Sequence, residues 1–175
     1  MLKMLAIVVV LVVAAVGLFA FTRPDTFRVK RAAAIKAPPE RIFPFINDFK
    51  RWGAWSPYEN KDPNLKRSYG GAPAGKGATY AWEGNKDVGA GRMEIIEASV
   101  PGRVAIKLDF TRPFEAHNRV VFTMVPAGDA TEVTWDMQGP ANYLSKLIGI
   151  FINMDRMVGK DFEVGLANLK AAAEK

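Results

Sequence analysis

Met4 to Phe21 is an uninterrupted run of 18 residues without a charge, Met-Leu-Ala-Ile-Val-Val-Val-Leu-Val-Val-Ala-Ala-Val-Gly-Leu-Phe-Ala-Phe. Lys3 precedes it, and Arg23 and Pro24 follow. About 17–25 apolar residues suffice for a helix to cross a bilayer. A buried globular helix would normally carry polar positions at helical spacing, and this run has none. A cleavable signal sequence ends on small residues behind a shorter apolar core. Ala15-Val16-Gly17 offers such a site, but Leu18, Phe19 and Phe21 carry the apolar run past it. The run is therefore read as an uncleaved transmembrane anchor over residues 1–23, followed by one domain over residues 24–175. The side of the membrane stays open. Lys3 argues for a cytoplasmic N-terminus, whereas Arg23, Arg28, Lys30, Arg31 and Lys36 would hold the other flank there.

Composition bounds the chemistry of the remainder. The chain has no cysteine, which excludes disulfides, Cys-ligated zinc and a Cys nucleophile. It has one histidine, so no multi-His metal site can form. Neither metal nor cofactor is expected. The net charge of +6 is unevenly placed: residues 23–67 hold 11 Lys/Arg against 5 Asp/Glu, and residues 68–175 hold 12 against 13. A basic zone directly behind an apolar run suits anionic headgroups, in addition to a plain solvated face. No recognition-helix signature or basic–aromatic repeat points to nucleic acid.

From Thr26 the period changes to two. Phe27, Val29 and Arg31 alternate with Arg28, Lys30 and Ala32 up to Ile35, as in a strand. Pro38-Pro39-Glu40 opens a helix with Ile42, Phe43, Phe45 and Ile46 on its apolar side and a kink expected at Pro44. Asp48 to Tyr58 reads as a second, shorter segment. Six short strands follow, at Leu65–Tyr69, Ala78–Gly84, Arg92–Ala98, Arg103–Phe110, Asn118–Val125 and Glu132–Gln138, separated by Gly, Pro and Asn turns. Each of the last three shows one apolar face, which describes an antiparallel sheet covered on one side. The cover is the helical region Ala141–Ala173. There Leu144, Leu147, Ile148, Phe151, Val158, Phe162, Leu166 and Leu169 form one stripe. An unbroken helix of that length would run to about 50 Å, so a break is expected between Ile152 and Asp155.

This order resembles the helix-grip fold of the START-like, or SRPBCC, superfamily, also called polyketide cyclase/dehydrase and lipid-transport-like. The likeness rests on Ile35 to Ile46, Trp52-Gly-Ala-Trp-Ser-Pro57, Gly70 to Trp82, Thr131-Glu-Val-Thr-Trp135 and Phe162 to Lys170. It implies an α+β fold: a curved antiparallel sheet of about seven strands wrapped on a long C-terminal helix, here preceded by one transmembrane helix. It further implies an apolar cavity between sheet and helix that holds a hydrophobic small molecule or lipid.

Trp55, Tyr80, Trp82, Met93, Phe110, Phe122, Met124, Trp135, Met137 and Phe151, with Met154 and Val158, are candidates for the wall of that cavity. Plain core packing is the competing role for each. The polar ends of Tyr80 and Trp82 are candidates to orient a ligand's head group. Asp155 falls inside the apolar stripe, either as a helix cap beside Asn153 or as an inward carboxylate meeting a ligand or Arg92 or Arg119. Gly70-Gly-Ala-Pro-Ala-Gly-Lys-Gly77 lacks the Ser/Thr and the following helix of a phosphate loop and reads as a hairpin connection. His117 reads as an exposed strand-end residue. Glu83, Glu94, Glu97 and Asp109 fall mostly on the outer face by alternation. A binding protein is therefore the first reading. A cyclase-, dehydrase- or hydrolase-type enzyme using the same cavity is the second, and a non-catalytic module regulating a membrane partner is the third.

Overall fold

The structure, a computed structural model, describes residues 3–151 and 153–175 in full and residue 2 by its backbone. Its first element, α1, is Leu2–Phe21. Lys3–Phe21 has a mean hydropathy of 3.1 and is long and apolar enough to cross a membrane; almost none of it is buried against the rest of the chain. Four residues lead from α1 into β1 (Thr26–Ile35), whose buried Val29 and Ile35 follow the expected alternation.

Pro39 starts α2 (Pro39–Asn47), with Glu40 in its first turn. The helix runs through Pro44. The amide lost there would have bonded the carbonyl of Glu40, in an exposed first turn that water can serve. Asp48 to Tyr58 folds as two 3-10 turns, Phe49–Ala54 and Pro57–Asn60. Trp52 donates its indole N–H to the carbonyl of Ile46 at 3.0 Å, and Trp55 donates to that of Phe45 at 2.8 Å. The tryptophan pair thus satisfies carbonyls that the end of α2 leaves without helical partners.

Six further strands follow: β2 (Lys66–Gly71), β3 (Ala78–Glu83), β4 (Ala90–Ser99), β5 (Arg103–Arg112), β6 (Ala116–Ala127) and β7 (Ala130–Pro140). They join β1 in one antiparallel sheet of order β1-β7-β6-β5-β4-β3-β2. Register shifts in β4 at Ala90/Gly91 and at Ile95/Glu97 help it bend. Gly71 and Gly77 close the β2–β3 hairpin at positive φ, so the near phosphate-loop segment is a hairpin turn.

The helical cover differs from a single rod. α3 (Tyr143–Phe151) stops before α4 (Met154–Ala173), and Asn153 caps α4 by accepting from the amide of Arg156 at 2.9 Å. The break falls where expected; Ile152 itself lies outside the described residues. α4 lays Phe162, Leu166 and Leu169 on the sheet, and Trp135 stacks on Phe162 with ring centroids 4.0 Å apart. A Cβ on Gly165 would sit 2.7 Å from the Trp135 ring, so glycine allows this approach. The result is the helix-grip arrangement.

Candidate functional site

The inner face of the sheet is where alternation, register and the covering helix bring the candidate residues together. Trp55, Phe122, Trp135 and Phe162 form its centre. The Trp55 ring meets Phe122 at 5.9 Å and Trp135 at 5.4 Å, both edge-on. With Met124, these are fully packed core residues. They fill the middle of the space between sheet and α4, and Trp55 spends its polar end on α2. Removing one such aromatic costs about 3–5 kcal/mol in a typical core.

Away from that centre, two adjacent rows cross the end of the sheet that joins α1. The first runs Phe27, Gly139, Asn118, Leu108, Met93 and Tyr80 from β1 to β3. The second runs Phe110, Gly91 and Trp82. Side chains lie flat here because the two glycines carry none. Asn118 Oδ1 and the edge of Phe27 occupy the place of a Gly139 Cβ, and the Trp82 ring occupies that of Gly91. Phe110 meets Trp82 edge-on at 5.5 Å. Met93, Leu108 and Met137 are buried, whereas Phe27, Trp82, Phe110 and Val158 are half-buried against the core. This end is the less completely covered part of the apolar interior.

The polar ends differ from expectation. Tyr80 donates its hydroxyl to Glu59 Oε1 at 2.7 Å, and Arg67 Nε donates to Glu59 Oε2 at 2.6 Å. Burial, then the contact with Glu59, pushes the Tyr80 phenol well above its ordinary range. Trp82 donates to the carbonyl of Val88 at 3.0 Å. Both groups are therefore committed inside the protein. Among the described residues, the buried side-chain polar atoms without a protein partner include Asn118 Oδ1 and Trp135 Nε1. Asn118 was not among the sequence candidates. Its signal was a polar residue in step with Val120, Phe122 and Met124 on an otherwise apolar strand face.

Three candidates lie elsewhere: Met154, the first residue of α4, is exposed rather than part of a wall, and Phe151 and Asp155 are displaced as well. Phe151 is 78% exposed, at the end of a helix with no buried residue, because the break before Asn153 turns the α3 part of the stripe away from the sheet. Asp155 lies in the exposed first turn of α4 rather than inside. Arg31, projecting from the inner face of β1, donates to Asp155 Oδ1 and to its backbone oxygen, both at 2.9 Å, and to Glu163 Oε1 at 2.7 Å. The Arg31 contact holds the Asp155 carboxyl below its ordinary range. Arg92 and Arg119 lie on the exposed outer face and do not supply that partner. Gly159 leaves room for the Arg31 guanidinium to cross α4.

The outer face carries paired charges. Glu83 bridges Arg112, Glu97 bridges Arg103, and Asp109 bridges Lys107 and His117. His117 is exposed, as expected, and its hydrogen bond to Asp109 raises its pKa. An open depression of about 490 Å³ on this face is lined by Arg28, Lys30, Arg103 and Arg119 among others. A second, of about 250 Å³, lies beside Phe49, Tyr69 and Ala72. Among the described residues no group of three or more His, Cys, Asp or Glu has a metal-holding arrangement.

Comparison with known proteins adds the family. The family described as polyketide cyclase / dehydrase and lipid transport matches residues 26–174. No curated protein matches the chain. Among solved structures, the ginseng major latex-like protein 151 from Panax ginseng is similar at a TM-score of 0.62 and 12% identity, over 87% of this chain and 100% of that one. Protein CV1439 from Chromobacterium violaceum is similar at a TM-score of 0.60 and 16% identity, over 87% and 99%. DynU16, from the dynemicin biosynthetic locus, is similar at 0.58 and 17%, over 87% of this chain but 48% of its own. At these identities the likeness speaks for the fold.

Proposed function

Because the chain belongs to the polyketide cyclase/dehydrase and lipid transport family, we propose that it is a membrane-tethered binding protein for a hydrophobic small molecule or lipid. In this reading residues 1–23 are the anchor and residues 24–175 the binding domain. The ligand enters at the end of the sheet beside α1, between the half-buried Phe27, Trp82, Phe110 and Val158. Met93 and Met137 supply adaptable wall there, while Trp55, Tyr80, Phe122, Met124 and Trp135 serve as its packed floor.

One observation carries this reading. The interior is closed by an aromatic stack at its centre and is half-exposed at the end that meets α1, where a buried amide oxygen, Asn118 Oδ1, has no protein partner. Apolar walls with a few unpaired polar groups suit a ligand with one polar end. The four-residue connection Thr22–Asp25 spans at most about 14 Å, so the start of β1, with the half-buried Phe27, lies close to the end of α1. A hydrophobic molecule could then pass between bilayer and interior with little exposure to water.

The test is titration of the full chain, in detergent micelles and in vesicles, with a fluorescent polyene fatty acid. Saturable binding with energy transfer from tryptophan is expected. Trp82→Ala and Asn118→Leu should each weaken it at least several-fold, while an outer-face change, Thr123→Ala, leaves it unaltered. Saturable binding that ignores both inner substitutions, or no saturable binding by the folded chain, would overturn the reading.

A further inference from the structure

α3 is an apolar helix that packs on α1 rather than on the sheet. Tyr143 packs on Phe21 with ring centroids 4.7 Å apart and the rings tilted by 35°, and its hydroxyl donates to the carbonyl of Gly17 at 3.3 Å. Ala20, between them in sequence, is fully buried. Gly17 lies four residues before the end of α1, about 6 Å along its axis. Tyr143 therefore reaches about one turn into the segment that is apolar enough to cross a membrane. The attachment is braced from the domain side. Lys146 pairs with Asp25, and the amide of Ala141 donates to the carbonyl of Asp25 at 2.7 Å.

The side of α3 that does not touch α1 is apolar and bare. Leu144 is 56% exposed, Ile148 38% and Phe151 78%. Between Asp136 and Asp155 the sequence has no acidic residue, and α3 carries a single charge, Lys146. A tyrosine at one end, a lysine turned toward the polar side and leucine, isoleucine and phenylalanine on the free side are the composition of a helix lying in a membrane interface. The tip between β5 and β6 stands at the same end of the sheet and presents Phe114, 69% exposed, behind Arg112.

We propose that α3 is an interfacial helix, seated in the headgroup region of the bilayer that α1 enters, and that the domain docks on lipid through Leu144, Ile148 and Phe151. The proposal rests on the reading of α1 as a membrane anchor. It adds a second attachment that fixes the domain's orientation, so that the half-covered end of the interior faces lipid rather than swinging on a short tether.

The chain has no cysteine, so a single introduced one gives a unique label. Leu144→Cys, Ile148→Cys and Phe151→Cys each replace an exposed side chain. Val10→Cys reports on α1, and Val125→Cys, exposed near the far end of β6, reports on water. The full-length variants carry an environment-sensitive fluorophore and are reconstituted into phosphatidylcholine–phosphatidylglycerol vesicles, with and without brominated acyl chains. Labels at 144, 148 and 151 should lose about half their emission in brominated vesicles, as expected for shallow insertion, while the label at 125 is unaffected. If the label at 10 is quenched and those on α3 are not, the docking proposal falls and the anchor stands. Blue-shifted α3 labels that bromine does not quench would mean cover by protein, and would equally overturn it. If the label at 10 is also unquenched, the anchor reading fails and the docking proposal fails with it.

Discussion

Glu59 is buried, and both of its carboxylate oxygens are taken by Tyr80 and Arg67. Arg67 also donates to the backbone oxygen of Glu59 at 2.8 Å, so this trio ties the turn Pro57–Asn60 to β2 and β3. Tyr80→Phe would leave one buried carboxylate oxygen without its donor. It should lower the unfolding free energy of the chain in denaturant by about 1.5–3 kcal/mol, as is usual for a hydrogen bond to a charged group. It should leave fatty-acid binding unchanged, because the hydroxyl points into the protein. A variant with full stability and weakened binding would instead mean that the Tyr80 hydroxyl, and not only its ring, meets the ligand. Burial of Tyr80 and Trp82 was legible from strand alternation. Their partners were not, because Glu59 lies 21 residues from Tyr80 and Val88 is reached only across a turn. Arg31 shows the converse: alternation placed it on the inner face, yet only the fold could bring the start of α4 over it.

At the scale of elements, the informative feature is the division of the C-terminal helix. Periodicity extends across residues 144–169 as though one surface were covered, because helical phase survives a short interruption in sequence. The structure divides that stripe: its α4 part covers the sheet, whereas Leu144, Ile148 and Phe151 stand exposed on α3, which is held on α1 through Tyr143. Glycines and Asn153 marked the break, but nothing in the helix itself showed that its first part had a different partner. Asn153 holds the division by capping α4, so Asn153→Ala should cost about 1 kcal/mol of stability. Asp155→Asn should leave ligand affinity unaltered, since its carboxylate meets Arg31 on the exposed side of α4. Thermal unfolding together with the fatty-acid titration checks both. A stable Asn153→Ala, or an Asp155→Asn that loses ligand, would contradict this assignment.

At the scale of the molecule, the sheet was legible because β1 and β5 to β7 carry their own period of two and turn residues set the strands apart, whereas β2, exposed throughout, carries no such period. Seven strands, their antiparallel pairing and the helix laid across them all follow from such local signals. The site was legible only as a face. Sequence alternation named its aromatic residues without separating those packed at the centre, such as Trp55 and Phe122, from those half-covered at the end, such as Trp82 and Phe110. That distinction depends on how far α4 extends across the sheet. The central claim is that the interior end beside α1 holds a hydrophobic molecule at the membrane. Its most direct test is to purify the full chain from membranes, wash it free of bulk lipid, and identify what remains by native mass spectrometry and organic extraction. One apolar molecule should be retained per chain, and it should be lost in the Trp82→Ala and Asn118→Leu variants. A folded, membrane-derived chain that carries nothing, or that keeps the same molecule in both variants, would contradict it.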